Sequence, residues 1–268
     1  MTKPSFQDYG TYDESAHRDL WDGVVGYWAP CLGPTGTRLH DVSRFNNWGT
    51  LTNMDAATDW VVDGGQYVLD FDGTDDYVGC GIVPIGGPCT VSCWMRPTSS
   101  STLRAIFSDT SGGANAAALQ FEIGRSLGKW SVVWGDALIL YSDLIPTMSQ
   151  QYHVVIVRRG TTSSWTAEFW IDGKLDSSAT TARNPLAANA FSIGRAGAFS
   201  GAYYSGQIAD IAAWNRALLP NEIIRLYQLG RGGMLERRRR RRVHSERADA
   251  VKSYLFVNRG QLIGGGTL

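Results

Sequence analysis

The 268-residue chain has no apolar run near the ~20 residues a membrane-spanning helix needs, so no membrane partner is expected. Met1–Asp8 leads into no apolar stretch, so no secretory signal is expected either. Cysteine is scarce: Cys31, Cys80, Cys89 and Cys93, none at zinc-ligand spacing. Cys89 and Cys93 lie four apart on a predicted strand, too far to bridge at ~3.3 Å per residue. Free, partly buried thiols are expected, with a Cys31–Cys80 bridge as the alternative. His17, His40, His153 and His244 show no metal or triad spacing, and His153 reads as structural. Phosphate loops, dinucleotide fingerprints and nucleophile elbows are missing. Helical periodicity is almost missing too. Net charge is zero, but unevenly spread: residues 231–268 hold ten Lys and Arg against three acids, which leaves an acidic body and a basic tail.

What is present is strand-like. Hydrophobic residues make up 43% of the chain, with 31 glycines and ten tryptophans. Short apolar runs alternate with Gly, Asp, Asn and Pro: Tyr67–Phe71 before Asp72-Gly73, Thr90–Met95 before Arg96-Pro97, Tyr152–Val157 before Arg158–Gly160, and Ala167–Ile171 before Asp172-Gly173. Asp-Gly between apolar runs favours a hairpin, because its tight turn needs positive φ. The pattern predicts an all-β, two-sheet antiparallel sandwich. The clearest helix opens at Pro220, with Ile223, Ile224, Leu226 and Tyr227 on its apolar face. Trp28, Trp94, Trp170 and Trp214 are expected in the core, with Trp94 and Trp214 between the two sheets.

Several stretches resemble one family at once. Gly23–Trp28 looks like the opening strand of a laminin-G-like, concanavalin-A-like jelly roll. Leu39–Leu51 resembles its Asp-x-Ser…Asn-x-Gly-Thr-Leu segment, and Leu69–Val78 its strand–turn–strand consensus. Phe191–Arg195, Gly206–Leu218 and the closing Glu222–Tyr227 follow in the family's order. The resemblance covers residues 21–230 and implies a jelly-roll sandwich with one short C-terminal helix. It divides the chain into an N-terminal arm (1–20), a jelly-roll domain (21–230) and an arginine-rich tail (231–268). The fold serves lectins, adhesion modules and glycosidases alike. Similar glucanases carry a Glu-x-Asp-x-(x)-Glu cluster on one strand face. Here Glu122, Glu168 and Glu222 stand apart. The acidic run by which pentraxins hold calcium is replaced by Gly194–Gly197. A non-catalytic protein is therefore expected.

Two calcium sites are considered. The resemblance implies a structural ion held by Asp41, Asn46 and Asp210. The turn residues Asp72, Asp75 and Asp76 could hold one instead, or simply cap their turn. Trp48, Trp60, Trp130, Trp134 and Trp165 are placed near loops or edges. Trp48, Trp130, Trp134 and Trp165, with Tyr203 and Tyr204, are candidates for stacking on sugars, with packing as the alternative.

Arg237, Arg238, Arg239, Arg240, Arg241 and Arg242 form the basic run, followed by the strand-like Tyr254, Leu255, Phe256 and Val257. Arginine forks suit an acidic partner. The tail is expected to dock on another copy of the chain or on a capsid protein. The looser resemblance of His17–Trp28 and Leu226–Met234 to jelly rolls encoded among bacteriophage structural genes implies a virion component, either a capsid decoration or a fibre-like protein on the virion surface. The alternatives are a carbohydrate-binding adhesin at the cell surface, with surface glycans as partners, and a nucleic-acid-binding protein that uses the tail.

Overall fold

The computed structural model describes residues 17–100, 103–110, 117–134, 138–160, 164–181, 190–196 and 202–235. The chain divides into two units, 1–236 and 237–268. All described residues belong to the first, so Arg237–Arg242, Tyr254–Val257, His244 and arm residues 1–16 lie outside the description.

The strands run β1 (Val24–Trp28), β2 (Arg38–Leu39), β3 (Gly49–Thr52), β4 (Trp60–Asp63), β5 (Gln66–Asp72), β6 (Tyr77–Ile82), β7 (Cys89–Pro97) and β8 (Arg104–Thr110). They continue as β9 (Ala117–Ile123), β10 (Trp130–Trp134), β11 (Leu138–Tyr141), β12 (Tyr152–Gly160), β13 (Trp165–Ile171), β14 (Lys174–Thr181), β15 (Ala190–Ile193) and β16 (Ser205–Trp214). Sheet A has the order β14-β13-β12-β7-β16-β5-β4, with β1 also on β16; sheet B has the order β11-β10-β9-β8-β15-β6-β3-β2. Every pairing is antiparallel. This is the two-sheet sandwich the sequence predicts. No helix among the described residues is long and apolar enough to cross a membrane.

The main core lies between the sheets. Leu51, Val78, Ile193, Phe107, Phe121 and Val132 face inward from sheet B onto Val91, Cys93, Met95, Val154 and Ile156 of sheet A. A second cluster covers the far face of sheet A. There Val155, Val157, Trp170, Ala212 and Trp214 pack under Leu20, Trp21, Ile223, Leu226, Met234 and Leu235. The closing helix, Pro220–Leu229, forms where Pro220 presets the first turn and the Glu222 carboxylate accepts the Leu219 N–H at 2.6 Å. Arg216 then pairs with Glu222 at 2.8 Å and donates to the Asp19 and Asp22 carbonyls. That knot ties the short helix Arg18–Trp21 to the domain's end.

Burial on both faces of sheet A moves two tryptophans. Trp214 is fully buried, but beneath the closing helix, where its Nε1 donates to the Leu20 carbonyl at 2.7 Å. Trp94 is half-buried on that same outer face, stacked against Tyr227 at 5.9 Å. Neither lies between the sheets. The domain boundaries also move. Leu20, assigned to the arm, is fully buried. Residues 231–235, assigned to the tail, are docked: Arg231 pairs with Asp63 at 2.6 Å, the Gly232 N–H binds Asp210, and Met234 and Leu235 are buried. All four cysteines are buried free thiols, including Cys31 and Cys80.

Candidate functional site

The outer face of sheet B is set by register. Arg38 pairs with Thr50, Thr50 with Gly79, Gly79 with Ser192, Ser192 with Ser108 and Ser108 with Gln120. Their strand neighbours Leu39, Leu51, Val78, Ile193, Phe107 and Phe121 point into the core, so this small, polar row points out. Ser192, Ser108 and Gln120 are buried, whereas Arg38 and Thr50 are exposed and Gly79 is partly so. The accessible part is thus the β2–β3–β6 side. A side chain at Gly79 would meet nothing within 4 Å, so the floor there is open.

Trp48 stands at one end of this floor. It is 39% exposed, with the His40 ring 4.1 Å away and the Arg38 guanidinium 5.8 Å from its centroid. The buried carboxylate of Asp41 holds the loop that presents it. Asp41 accepts hydrogen bonds from the Tyr27 N–H at 2.8 Å, the Ser43 N–H at 2.9 Å, the Ser43 hydroxyl at 2.8 Å and the Asn47 N–H at 2.7 Å. Asn46 takes a left-handed φ of 52° in the turn and is exposed. Phe45 is 42% exposed beside Trp48 in sequence, with the Arg44 guanidinium 5.3 Å from its ring. A cleft of about 590 Å³ on the other flank of the loop is lined by Arg18, Trp21, Ser43 and Arg44.

Tyr77 marks the other end. It sits opposite Thr52, two residues along the strand from Gly79, and shares the outer face. The Arg195 guanidinium lies 3.6 Å from its ring centroid, close enough for a cation–π contact. The aromatic rings at the two ends of the floor, Trp48 and Tyr77, are therefore each flanked by an arginine.

The remaining sugar-stacking candidates go elsewhere. Trp130, Trp134, Trp165 and Tyr204 are core residues, no more than 2% exposed, and present no ring to a ligand. Trp60 is buried as well. Tyr203 is half-buried and bridges the backbones of Ala105 and Arg195. Of the six candidates, Trp48 offers the open ring. Phe45, Tyr77 and Arg195 were missed.

The first metal set keeps separate company. Asp41 is satisfied by its loop, while Asp210 is held by Gly232 under the closing helix. Burial raises the Asp210 carboxyl, and hydrogen bonds from Gly232, Cys31 and Tyr27 oppose that rise. Asp72, Asp75 and Asp76 do converge, with carboxylate oxygens within 4.8 Å of one another. That oxygen set could take a hard divalent cation. The cluster also caps its own turn: Asp72 accepts the Thr74 N–H at 2.7 Å, and Asp76 accepts the Asp72 N–H at 3.0 Å. Burial, then the charges of Asp72, Asp59 and Asp75, push Asp76 up to about 6, against the Asp72 hydrogen bond.

The glutamates stand less alone than their spacing implies. Glu122 is fully buried and accepts hydrogen bonds from Gln120 at 2.5 Å, Ser131 at 2.9 Å and Arg125. Glu168 pairs with Arg159 at 2.6 Å and accepts the Trp170 indole N–H at 2.8 Å. His153, read as structural, is buried with its Nε2 2.8 Å from the Ser92 hydroxyl.

Comparisons with known proteins agree with this architecture. The family model described as the concanavalin A-like lectin/glucanases superfamily matches residues 72–224. No curated protein matches. Among solved structures, a Trypanosoma rangeli sialidase in complex with 2,3-difluorosialic acid superposes with a TM-score of 0.57 at 16% identity, covering 77% of this chain. This chain spans only 32% of that sialidase's length. Domain 4 of AbnA, a GH43 extracellular arabinanase from Geobacillus stearothermophilus, in complex with arabinotriose, gives 0.57 at 15% identity, covering 76% of this chain and 98% of that one. At such identities the likeness is one of fold. It nevertheless overturns the expectation of a non-catalytic protein, because structures of glycoside-cleaving enzymes share this sandwich and a missing glucanase-type carboxylate pattern no longer sets the chain apart from them. With more than half of its residues matched and the sandwich formed as that family requires, the chain belongs to the concanavalin A-like lectin/glucanase superfamily.

Proposed function

We propose that this is a carbohydrate-binding domain and that it binds glycans on the outer face of sheet B, along β2, β3 and β6. The observation that carries the reading is the open floor at Thr50 and Gly79 between two aromatic rings, the exposed Trp48 and the half-buried Tyr77. Aromatic faces stack on the apolar faces of sugar rings, and small polar side chains let the sugar approach the sheet. The relative crystallised with arabinotriose supports it, as does the superfamily itself. These observations favour glycan binding over a virion component; neither the fold nor the relatives bear on capsid or nucleic-acid partners.

Gly79 makes the test clean. Its φ is not positive and its surroundings are empty, so Gly79→Phe fills the floor without straining the fold. On a glycan array the wild-type chain is expected to retain glycans that Gly79→Phe and Trp48→Ala lose, with all three melting alike. Equal retention by Gly79→Phe would place binding elsewhere, and no retention by the wild type would end the proposal.

A further inference from the structure

The charges around the open face point to one class of sugar. Among the described residues, Arg96, Arg125, Arg159, Arg216, Arg225 and Arg231 each pair with a carboxylate. Arg18, Arg38, Arg44, Arg104, Arg158 and Arg195 have no such pair. Arg158 is buried and Arg104 is held by the Gly73 and Tyr203 carbonyls, whereas Arg38 lies on the exposed Trp48 ring, Arg44 on Phe45 and Arg195 on the half-buried Tyr77. Arg38 is exposed and stands on the same outward row as Thr50 and Gly79, so its guanidinium faces the open floor without a carboxylate partner. The acids Asp72 and Asp75 lie in the turn before Tyr77, at the far end from Trp48. The cationic end of the floor is therefore the Arg38–Trp48 end.

Resting on the glycan-binding reading, we propose that Arg38 makes the site selective for carboxylated sugars, the uronic-acid class. The sugar ring lies on Trp48, and its carboxylate accepts the Arg38 guanidinium fork. A guanidinium offers two parallel N–H donors that match a carboxylate and hold it in one orientation, which a lysine ammonium cannot do. Packing against Trp48 limits the freedom of the Arg38 side chain, so less entropy is lost when the anion binds. Arg195, stacked on Tyr77 with its Nε buried, holds that ring in place as a positioning residue.

The test is calorimetric titration of the full chain with Arg237–Arg242 changed to glutamine, so that the arginine run cannot hold the anion. The probes are trigalacturonate, its methyl ester (same backbone, carboxylates masked) and a sulfated dextran oligosaccharide beside plain dextran. Trigalacturonate is expected to bind at least about tenfold tighter than its ester, the strength of one charge-assisted pair. Arg38→Gln should remove that preference, Arg38→Lys should restore only part of it, and Gly79→Phe should abolish binding of both. Equal binding of acid and ester, both lost in Gly79→Phe, would overturn the acid selectivity and leave the glycan face standing. Sulfated dextran bound as tightly as trigalacturonate through Arg38 would overturn carboxylate selection in favour of simple charge. Trigalacturonate binding that survives Gly79→Phe would overturn the assignment to this face. If no probe or arrayed glycan binds, both readings fall.

Discussion

The Nε2 of His153 lies 2.8 Å from the Oγ of Ser92 on the neighbouring strand, beneath the stacked rings of Trp94 and Tyr227. Burial pushes the His153 pKa down from 6.5 to about 3, so the folded chain keeps this ring neutral. As pH falls, the unfolded chain takes up the proton first. The contribution of the neutral ring is complete above about pH 6.5 and shrinks by up to about 1.4 kcal/mol per pH unit toward pH 3. Asp76, raised to about 6, gives the opposite slope between its unfolded value of 3.8 and 6, so the wild-type curve alone hides the effect. The difference between wild type and His153→Gln isolates it. Denaturant midpoints at pH 7 and pH 4 should show that gap narrowing; a gap independent of pH would contradict a neutral buried ring.

Asp41 organises the loop that carries Phe45 and Trp48. Asp41→Ala strands three backbone N–H groups and a hydroxyl, each of which had a charged acceptor. Losing even two such bonds costs about 3 kcal/mol. Thermal unfolding should therefore show a large drop in Tm, and glycan retention should fall even below that Tm as Trp48 loses its support. A variant that melts like the wild type would show the pin to be dispensable.

Trp214 and Trp94 share a sheet face but not a burial. Trp214→Ala should cost about 3–5 kcal/mol, the range for a buried aromatic that leaves a cavity. Trp94→Ala should cost clearly less, because water already reaches it. Equal losses in urea unfolding would mean that the helix covers Trp94 more completely than the structure shows.

Residues 231–235 belong to the sandwich energetically. A chain ending at Leu235 keeps the Arg231–Asp63 pair, the Gly232–Asp210 bond and two buried side chains. A chain ending at Gly230 loses them all and leaves the Asp210 carboxylate without its backbone donor. Burying Met234 and Leu235 alone is worth about 3 kcal/mol or more. The chain ending at Leu235 should melt well above the one ending at Gly230, and coincident melting curves would refute the docking.

The sandwich was legible because its turns announce themselves. Asp172-Gly173 closes the β13–β14 hairpin where predicted, with positive φ at both residues, whereas the turn at Asp72-Gly73, with positive φ at Gly73, is no hairpin but carries the chain from β5 in sheet A to β6 in sheet B. Asp41 to Leu51 was readable as a unit, and Trp48 came out of it as an accessible ring. The phase of Trp94 and Trp214 was not readable. Sheet A is covered on both faces, so β7 and β16, which carry Trp94 and Trp214, are buried along most of their length and alternation carries no sign. Trp130, Trp134 and Trp165 flank short polar loops in sequence, yet each points between the sheets. The pairing of Tyr77 with Arg195 depends on the register of β6 against β15, which links residues more than a hundred apart. No local pattern encodes it. Likewise nothing in the spacing of Glu122 reveals that the fold brings Gln120, Arg125 and Ser131 to it.

The order of strands in sheet A has a kinetic consequence. β16 pairs with β7 along most of its length, with β5 through Ser205–Ile208 and with β1 through Ile211–Trp214. The early strands β1, β4 and β5 therefore join the rest of their sheet only through a segment that follows them by more than 130 residues. Until Ser205–Trp214 is made, β1 and β5 lack their partner in sheet A. Such long-range closure predicts slow folding, on a scale of milliseconds to seconds, with a vulnerable interval before the last strand arrives.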